Sequence, residues 1–193
     1  MRSAIAGLAL LAVVVAAPAS AGTITYEAFL NGSNEVPPNA SPATGHALLQ
    51  LLADFLTVDE TFSGLIGGTA AAAHIHCCAP EGVNATVAIP FVGFPAATSG
   101  HYINTFDLTL AATYNGAFIT AHGGTAASAE AALIAGLNSG NTYLNIHDAT
   151  FPGGEIRGQV EPTAAVPEPA TVILLGTGIA AILARRRQRN ALS

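Results

Sequence analysis

Short runs in which apolar and polar residues alternate dominate the middle of the chain. At strand geometry successive side chains point to opposite faces, so alternate residues share a face. Ile24-Thr25-Tyr26-Glu27-Ala28-Phe29-Leu30 predicts a first strand, ended by the turn residues Asn31-Gly32-Ser33-Asn34. Glu35-Val36-Pro37-Pro38 must be extended, because each proline fixes its own φ and biases its predecessor away from helix. Further strands are expected at residues 45–53, at 56–66 with Val58, Glu60 and Phe62 on one side, at 83–92 with a bend at Pro90, and at 105–110; residues 93–101 read as loop. In Ala73-His74-Ile75-His76-Cys77-Cys78, His74 and His76 share the face opposite Ala73 and Ile75. In Tyr143-Leu144-Asn145-Ile146-His147, Leu144 and Ile146 face a core while Tyr143, Asn145 and His147 face the other way. After a turn at Phe151-Pro152-Gly153-Gly154, the run Glu155-Ile156-Arg157-Gly158-Gln159-Val160 again alternates, with Glu155, Arg157 and Gln159 on one face.

Only residues 125–137 carry a clear helical period. Alanines dominate there, Leu133, Ile134 and Leu137 stand at helix spacing, and Gly123-Gly124 and Gly140 bracket the run. Residues 113–121 add at most a short turn of helix before it, and no repeat of fixed period is present. Many short strands with Gly/Pro turns and a single helical excursion predict a mainly β protein, an antiparallel β-sandwich.

Both ends break this pattern. Residues 1–21 have the form of a secretory signal: Arg2 supplies the charged start, residues 4–17 an apolar run too short for a bilayer span, and Ala19-Ser20-Ala21 a small-x-small cleavage site. At the other end Val166-Pro167-Glu168-Pro169 precedes an apolar run over 170–184 and then Arg185-Arg186-Arg187-Gln188-Arg189. The run crosses a membrane only with help from its flanks, and the arginines would stay cytoplasmic. Pro167, Glu168 and Pro169, the apolar stretch and the arginine cluster together resemble the PEP-CTERM sorting signal of Gram-negative bacteria. That resemblance implies recognition and removal of the tail by an exosortase. The expected division is therefore a signal peptide at 1–21, a β-domain at 22–162 and a sorting segment at 163–193.

Charge separates the same three parts. Of twelve acidic residues only Glu168 lies in the tail, and the chain has no lysine. Five of the six arginines sit in the two terminal segments, so the middle domain carries eleven carboxylates against Arg157 alone, a net charge near −10. Such a surface repels nucleic acid and anionic lipid, which need basic patches.

Four separated motifs in order, Phe29-Leu30-Asn31-Gly32-Ser33-Asn34-Glu35-Val36-Pro37-Pro38, Ala73-His74-Ile75-His76, Asn145-Ile146-His147 and Gly153-Gly154-Glu155-Ile156-Arg157-Gly158-Gln159, resemble the CHRD domain. That domain takes its name from chordin and occurs in many bacterial secreted proteins. The match spans roughly residues 24–160. Asp148 stands where the family usually has threonine, and the double cysteine after His76 looks like a variant of PEP-CTERM members. The resemblance implies architecture and location rather than a chemical activity.

His74, His76 and His147 are the candidate metal ligands. Two histidines two apart on a strand, with a third on a returning strand, suit zinc or copper. The His-x-His spacing is similar to the copper ligands of copper/zinc superoxide dismutase. The competing reading is a hydrogen-bonded network in which His147, Glu155 and Arg157 tie strands together. Arg157 is expected to form a structural ion pair with Asp148, Glu35 or Glu27. Cys77 and Cys78 are the entire cysteine inventory; a vicinal disulfide, thiolate ligation beside the histidines and intermolecular bonds are all open, the first being preferred. His46, His101 and His122 have no spacing partner, and no nucleophile motif, phosphate loop or paired-carboxylate pattern is present.

These features predict an exported module of the envelope or extracellular matrix, anchored for a time or permanently by its C-terminal helix. Its expected partners are signal peptidase, exosortase and exopolysaccharide or other matrix proteins, without nucleic acid. It is expected to be structural or adhesive and not an enzyme. The alternative is a copper- or zinc-binding domain using His74, His76 and His147, with a redox enzyme on that metal as a third reading.

Overall fold

The structure is a computed structural model that describes residues 22–163. The signal-peptide segment and the sorting segment with Pro167, Glu168 and Pro169 lie outside the described residues.

Eight strands and two helices follow one another as β1 (Ile24–Asn31), β2 (Thr44–Leu52), β3 (Phe55–Ser63), β4 (Ala72–Cys77), β5 (Val87–Pro90), β6 (Gly100–Asp107), α1 (Gly116–Ala121), α2 (Ala126–Asn138), β7 (Thr142–His147) and β8 (Ile156–Pro162). The apolar halves of the alternating runs turn to one side: Tyr26, Ala28 and Leu30 from β1, Ala47, Leu49 and Leu51 from β2, and Leu56 and Val58 from β3 are all buried. The hairpin joining β2 to β3 is closed by two residues, with Leu52 opposite Phe55. It places Ala53 at φ 50°, in the left-handed region where a side chain is disfavoured.

The strands make one sheet and not the two packed sheets of a sandwich. Every pairing is antiparallel, and the ladder runs unbroken in the order β5-β4-β7-β8-β1-β2-β3-β6. Alternation along a strand shows which face is apolar but not whether the next sheet or the same sheet closes over it. Here the sheet curls onto itself into a half-barrel. Phe91, just past edge strand β5, stacks on Tyr102 and Phe106 of the opposite edge strand β6, with ring centroids 5.0 and 5.7 Å apart.

The single helical excursion becomes two helices. The longer, α2, starts one residue after its predicted position because Thr125 is its N-cap, exchanging hydrogen bonds with Ser128 in a capping box. Leu133 and Leu137 are fully buried, and Tyr26 donates its hydroxyl to Asn138 Oδ1 at 2.7 Å, which ties the helix to the core side of the sheet. The shorter, α1, buries Phe118.

On the outer face of β4, β7 and β8 the usual solvent exposure is missing. Tyr143, Asn145 and Arg157 point away from the apolar core and are still at most 3 % exposed. Two loops lie over them. Arg157 donates to Asn84 Oδ1 and to the Val83 carbonyl, both at 3.0 Å, and Asn84 donates in turn to the Val36 carbonyl at 3.0 Å. The domain therefore has an apolar layer inside the curl and a second, polar layer under the loops outside it.

Candidate metal centre

Antiparallel pairing of β4 with β7 sets His74 opposite Asn145, His76 opposite Tyr143 and Ala72 opposite His147. Because Ala73, Ile75 and Cys77 take the core side, His74 and His76 emerge into the outer polar layer, where the end of β7 delivers His147. One ligand atom from each of the three rings can be chosen so that all lie within 4.8 Å of one another.

The protons on two of these rings are placed by backbone carbonyls, which can only accept. His76 Nδ1 donates to the Ala85 carbonyl at 2.8 Å, and His147 Nδ1 donates to the Pro152 carbonyl at 3.0 Å. Each ring is then left with a lone pair on Nε2. His147 Nε2 lies 3.2 Å from His74 Nδ1, while His76 Nε2 is buried and meets no hydrogen-bond partner. A carbonyl holding one nitrogen while the other turns toward a common point is the arrangement that orients histidine toward a metal.

Burial also keeps the rings neutral. Desolvation, reinforced by His147 and His76, lowers His74 from 6.5 to about 4. Desolvation likewise holds His76 and His147 below the ordinary value, against the raising effects of their carbonyl bonds, of the Asn145 side chain near His76 and of the Asp148 carboxylate near His147. Neutral imidazole is the form that ligates copper or zinc.

The rest of the outer layer supports these rings. Tyr143 stacks on His76 at a centroid distance of 4.6 Å and an interplanar angle of 4°, and the Arg157 guanidinium lies 3.4 Å from the Tyr143 ring centroid. The tyrosine hydroxyl accepts from Ala85 N–H at 3.1 Å, fixing the residue whose carbonyl holds His76. Glu35 is buried beside this stack. Its burial pushes the carboxyl up to about 7, against the pull of Arg157, the Val36 N–H and the Asn145 amide.

Several expected partnerships differ. Arg157 has no carboxylate within ion-pair distance among the described residues. It uses its N–H groups on Asn84 and Val83, with Glu35 and Glu81 as nearby charges, because the covering loops supply neutral oxygens directly over its strand. Glu155, just before β8 begins, turns away from His147 and Arg157. It accepts from Ser41 Oγ and from the N–H groups of Ile66 and Gly67. Asp148 accepts from Thr150 and Phe151 in the following turn.

The structure joins Cys77 and Cys78 to each other across a cis peptide bond. Their sulfurs face the Ala132 carbonyl and Gly136 of α2, on the core side of β4, so they do not reach the histidine face. The remaining histidines lie apart: His46 pairs with Glu27 and His101 with Asp59, each at 2.7 Å, while His122 packs on Phe118. The residues not singled out beforehand are Asn145, whose Oδ1 sits 2.9 Å from His147 Nε2, and the Ala85 and Pro152 carbonyls. Only Asn145 left a trace in the sequence, as the middle member of the polar face of β7.

Among the described residues no helix is long and apolar enough to cross a membrane. No curated protein and no solved structure matches the chain significantly. Beyond the described residues, the PEP-CTERM protein-sorting motif matches residues 165–188 and marks an exported, envelope-associated protein processed by an exosortase. The CHRD domain model matches residues 26–160, nearly the whole of the curled sheet from β1 to β8. The chain belongs to the CHRD-domain family.

Proposed function

We propose that this protein is an exported structural module of the cell envelope or extracellular matrix, not an enzyme, whose domain binds one copper or zinc ion at His74, His76 and His147. One observation carries the metal reading: the buried, unpartnered Nε2 of His76 shares a space 4.8 Å across with ligand atoms of His74 and His147. A hydrogen-bonded network accounts for the His74–His147 contact but leaves that nitrogen orphaned, at a cost of roughly 1–3 kcal/mol. A metal ion uses it. Three neutral imidazoles suit both ions, with copper(II) the tighter binder on intrinsic affinity. The matrix role is supported by the sorting motif and by the strongly acidic domain, and its partners are exopolysaccharide or other matrix proteins.

Calorimetric titration of chelator-stripped protein with Cu²⁺ and Zn²⁺ tests the metal reading. One saturable site is expected, abolished in His76→Ala and retained in His46→Ala. Absence of such a site, or its survival in His76→Ala, would leave only the hydrogen-bonded network.

A further inference from the structure

Resting on the metal reading, we infer that Asn145 is a fourth ligand through Oδ1, so that the centre is a mixed nitrogen–oxygen site suited to copper(II). Asn145 Oδ1 lies 2.9 Å from His147 Nε2. The proton of that ring is on Nδ1, where the Pro152 carbonyl accepts it, so two lone-pair atoms face each other with no hydrogen between them. Moving the ring proton to Nε2 only transfers the clash to the Pro152 carbonyl, which leaves three changes that relieve it: turning the amide over, adding a second proton to His147, or placing a cation between the two atoms.

Turning the amide over exchanges its ends. Its N–H group now points toward the Gly153 carbonyl at 3.5 Å, and the amide also neighbours the buried Glu35 carboxyl. A reversed amide would set oxygen against oxygen there, merely moving the clash. A second proton on His147 would serve Asn145 Oδ1 but leave the buried Nε2 of His76 without a partner. A cation satisfies all the atoms at once.

The two spacings on His147 agree with coordination, whereas the 4.8 Å spread of the three imidazole atoms exceeds the roughly 4.2 Å that two ligands of one ion can span and must contract on binding. Two ligands each about 2.0–2.1 Å from one ion lie roughly 2.9 Å apart at a right angle and about 3.4 Å apart at a tetrahedral angle. The Oδ1–Nε2 separation of 2.9 Å is thus an edge near 90°, and the 3.2 Å between His147 Nε2 and His74 Nδ1 falls between the two limits. Edges near a right angle with nitrogen and oxygen donors belong to tetragonal copper(II) more than to tetrahedral zinc.

The test uses the mature domain and Cu²⁺. Wild type is titrated first, and pulsed electron paramagnetic resonance counts its imidazole nitrogens. If wild type has no saturable site, the metal reading fails and this inference fails with it. If wild type binds through three imidazoles, Asn145→Ala is expected to weaken Cu²⁺ binding roughly tenfold or more and to alter the copper hyperfine splitting. Unchanged affinity and spectrum in Asn145→Ala would remove Asn145 from the ligand set while leaving the histidine centre intact. Should the variant fail to fold, wild type labelled with ¹⁵N decides: the Asn145 side-chain amide signals must shift at one equivalent of Zn²⁺, and signals that stay in place overturn the inference.

Discussion

Glu60 shows how far a single side chain can depart from its pattern. It alternates correctly with Val58 and Phe62, so it turns inward with them and ends fully buried, with neither carboxyl oxygen hydrogen-bonded. Desolvation pushes its pKa from 4.5 up to about 8. Tyr102, opposite it on β6, is held above its own ordinary value, mainly by burial and in part by this carboxyl. The folded state therefore keeps a proton on Glu60 that the unfolded chain releases above pH 4.5, and stability is lost as pH rises toward 8. In urea titrations at a series of pH values, wild type should lose stability relative to Glu60→Gln over that range, by up to about 1.4 kcal/mol per pH unit. Parallel curves for the two proteins would show that Glu60 is charged or solvated. The sequence placed Glu60 on the apolar side of its strand but contained no sign of its isolation, since the missing partner is a property of the strands packed around it. The same holds for the centre: His74, His76 and His147 were legible from strand alternation, whereas the carbonyls of Ala85 and Pro152 have no side-chain signature at all.

Element by element, legibility follows how local the cause is. Strand β1 and helix α2 lie close to their predicted bounds, because alternation and an N-cap act within a few residues. Strand β5 shrinks to Val87–Pro90 because the residues before it are drawn into the covering loop, where Val83 and Asn84 hold Arg157. Strand β6 begins at Gly100, inside a stretch read as loop, since what makes it a strand is its pairing with β3. Helix α2 meets β4 through Gly136, where an added Cβ would lie 2.5 Å from Cys77 Sγ and 3.1 Å from Cys78 Sγ. Glycine inside a helix ordinarily costs about 1 kcal/mol relative to alanine. Here that sign should reverse: Gly136→Ala is expected to destabilise by about 1–3 kcal/mol, as overpacking does. Denaturant unfolding of the two proteins measures it, and a more stable variant would mean that the helix moves aside freely.

At the scale of the whole molecule, an exported CHRD domain and a sorting segment are joined just after β8, where Thr163 still bonds to Thr25. The domain therefore ends on a pinned strand, and loss of the tail leaves its sheet complete. Intact mass should show a chain ending near Pro167 in wild-type cells and one retaining Arg185 to Arg189 where the exosortase gene is deleted. The same mass in both strains, arginines included, would rule the processing out. The curl itself was not legible in the sequence, because no residue pattern distinguishes a sheet that meets a second sheet from one that meets its own far edge.

The buried Arg157 has a consequence for the finished protein. If both terminal segments are removed, no lysine and no other arginine remains, so a protease that cuts after basic residues has one bond to attack, between Arg157 and Gly158. That bond lies in β8, between β7 and β1, beneath two loops and with an arginine side chain only 1 % exposed. Trypsin-like enzymes in the surroundings of the cell thus find no foothold on the folded domain, and even the unfolded chain would yield them only two pieces.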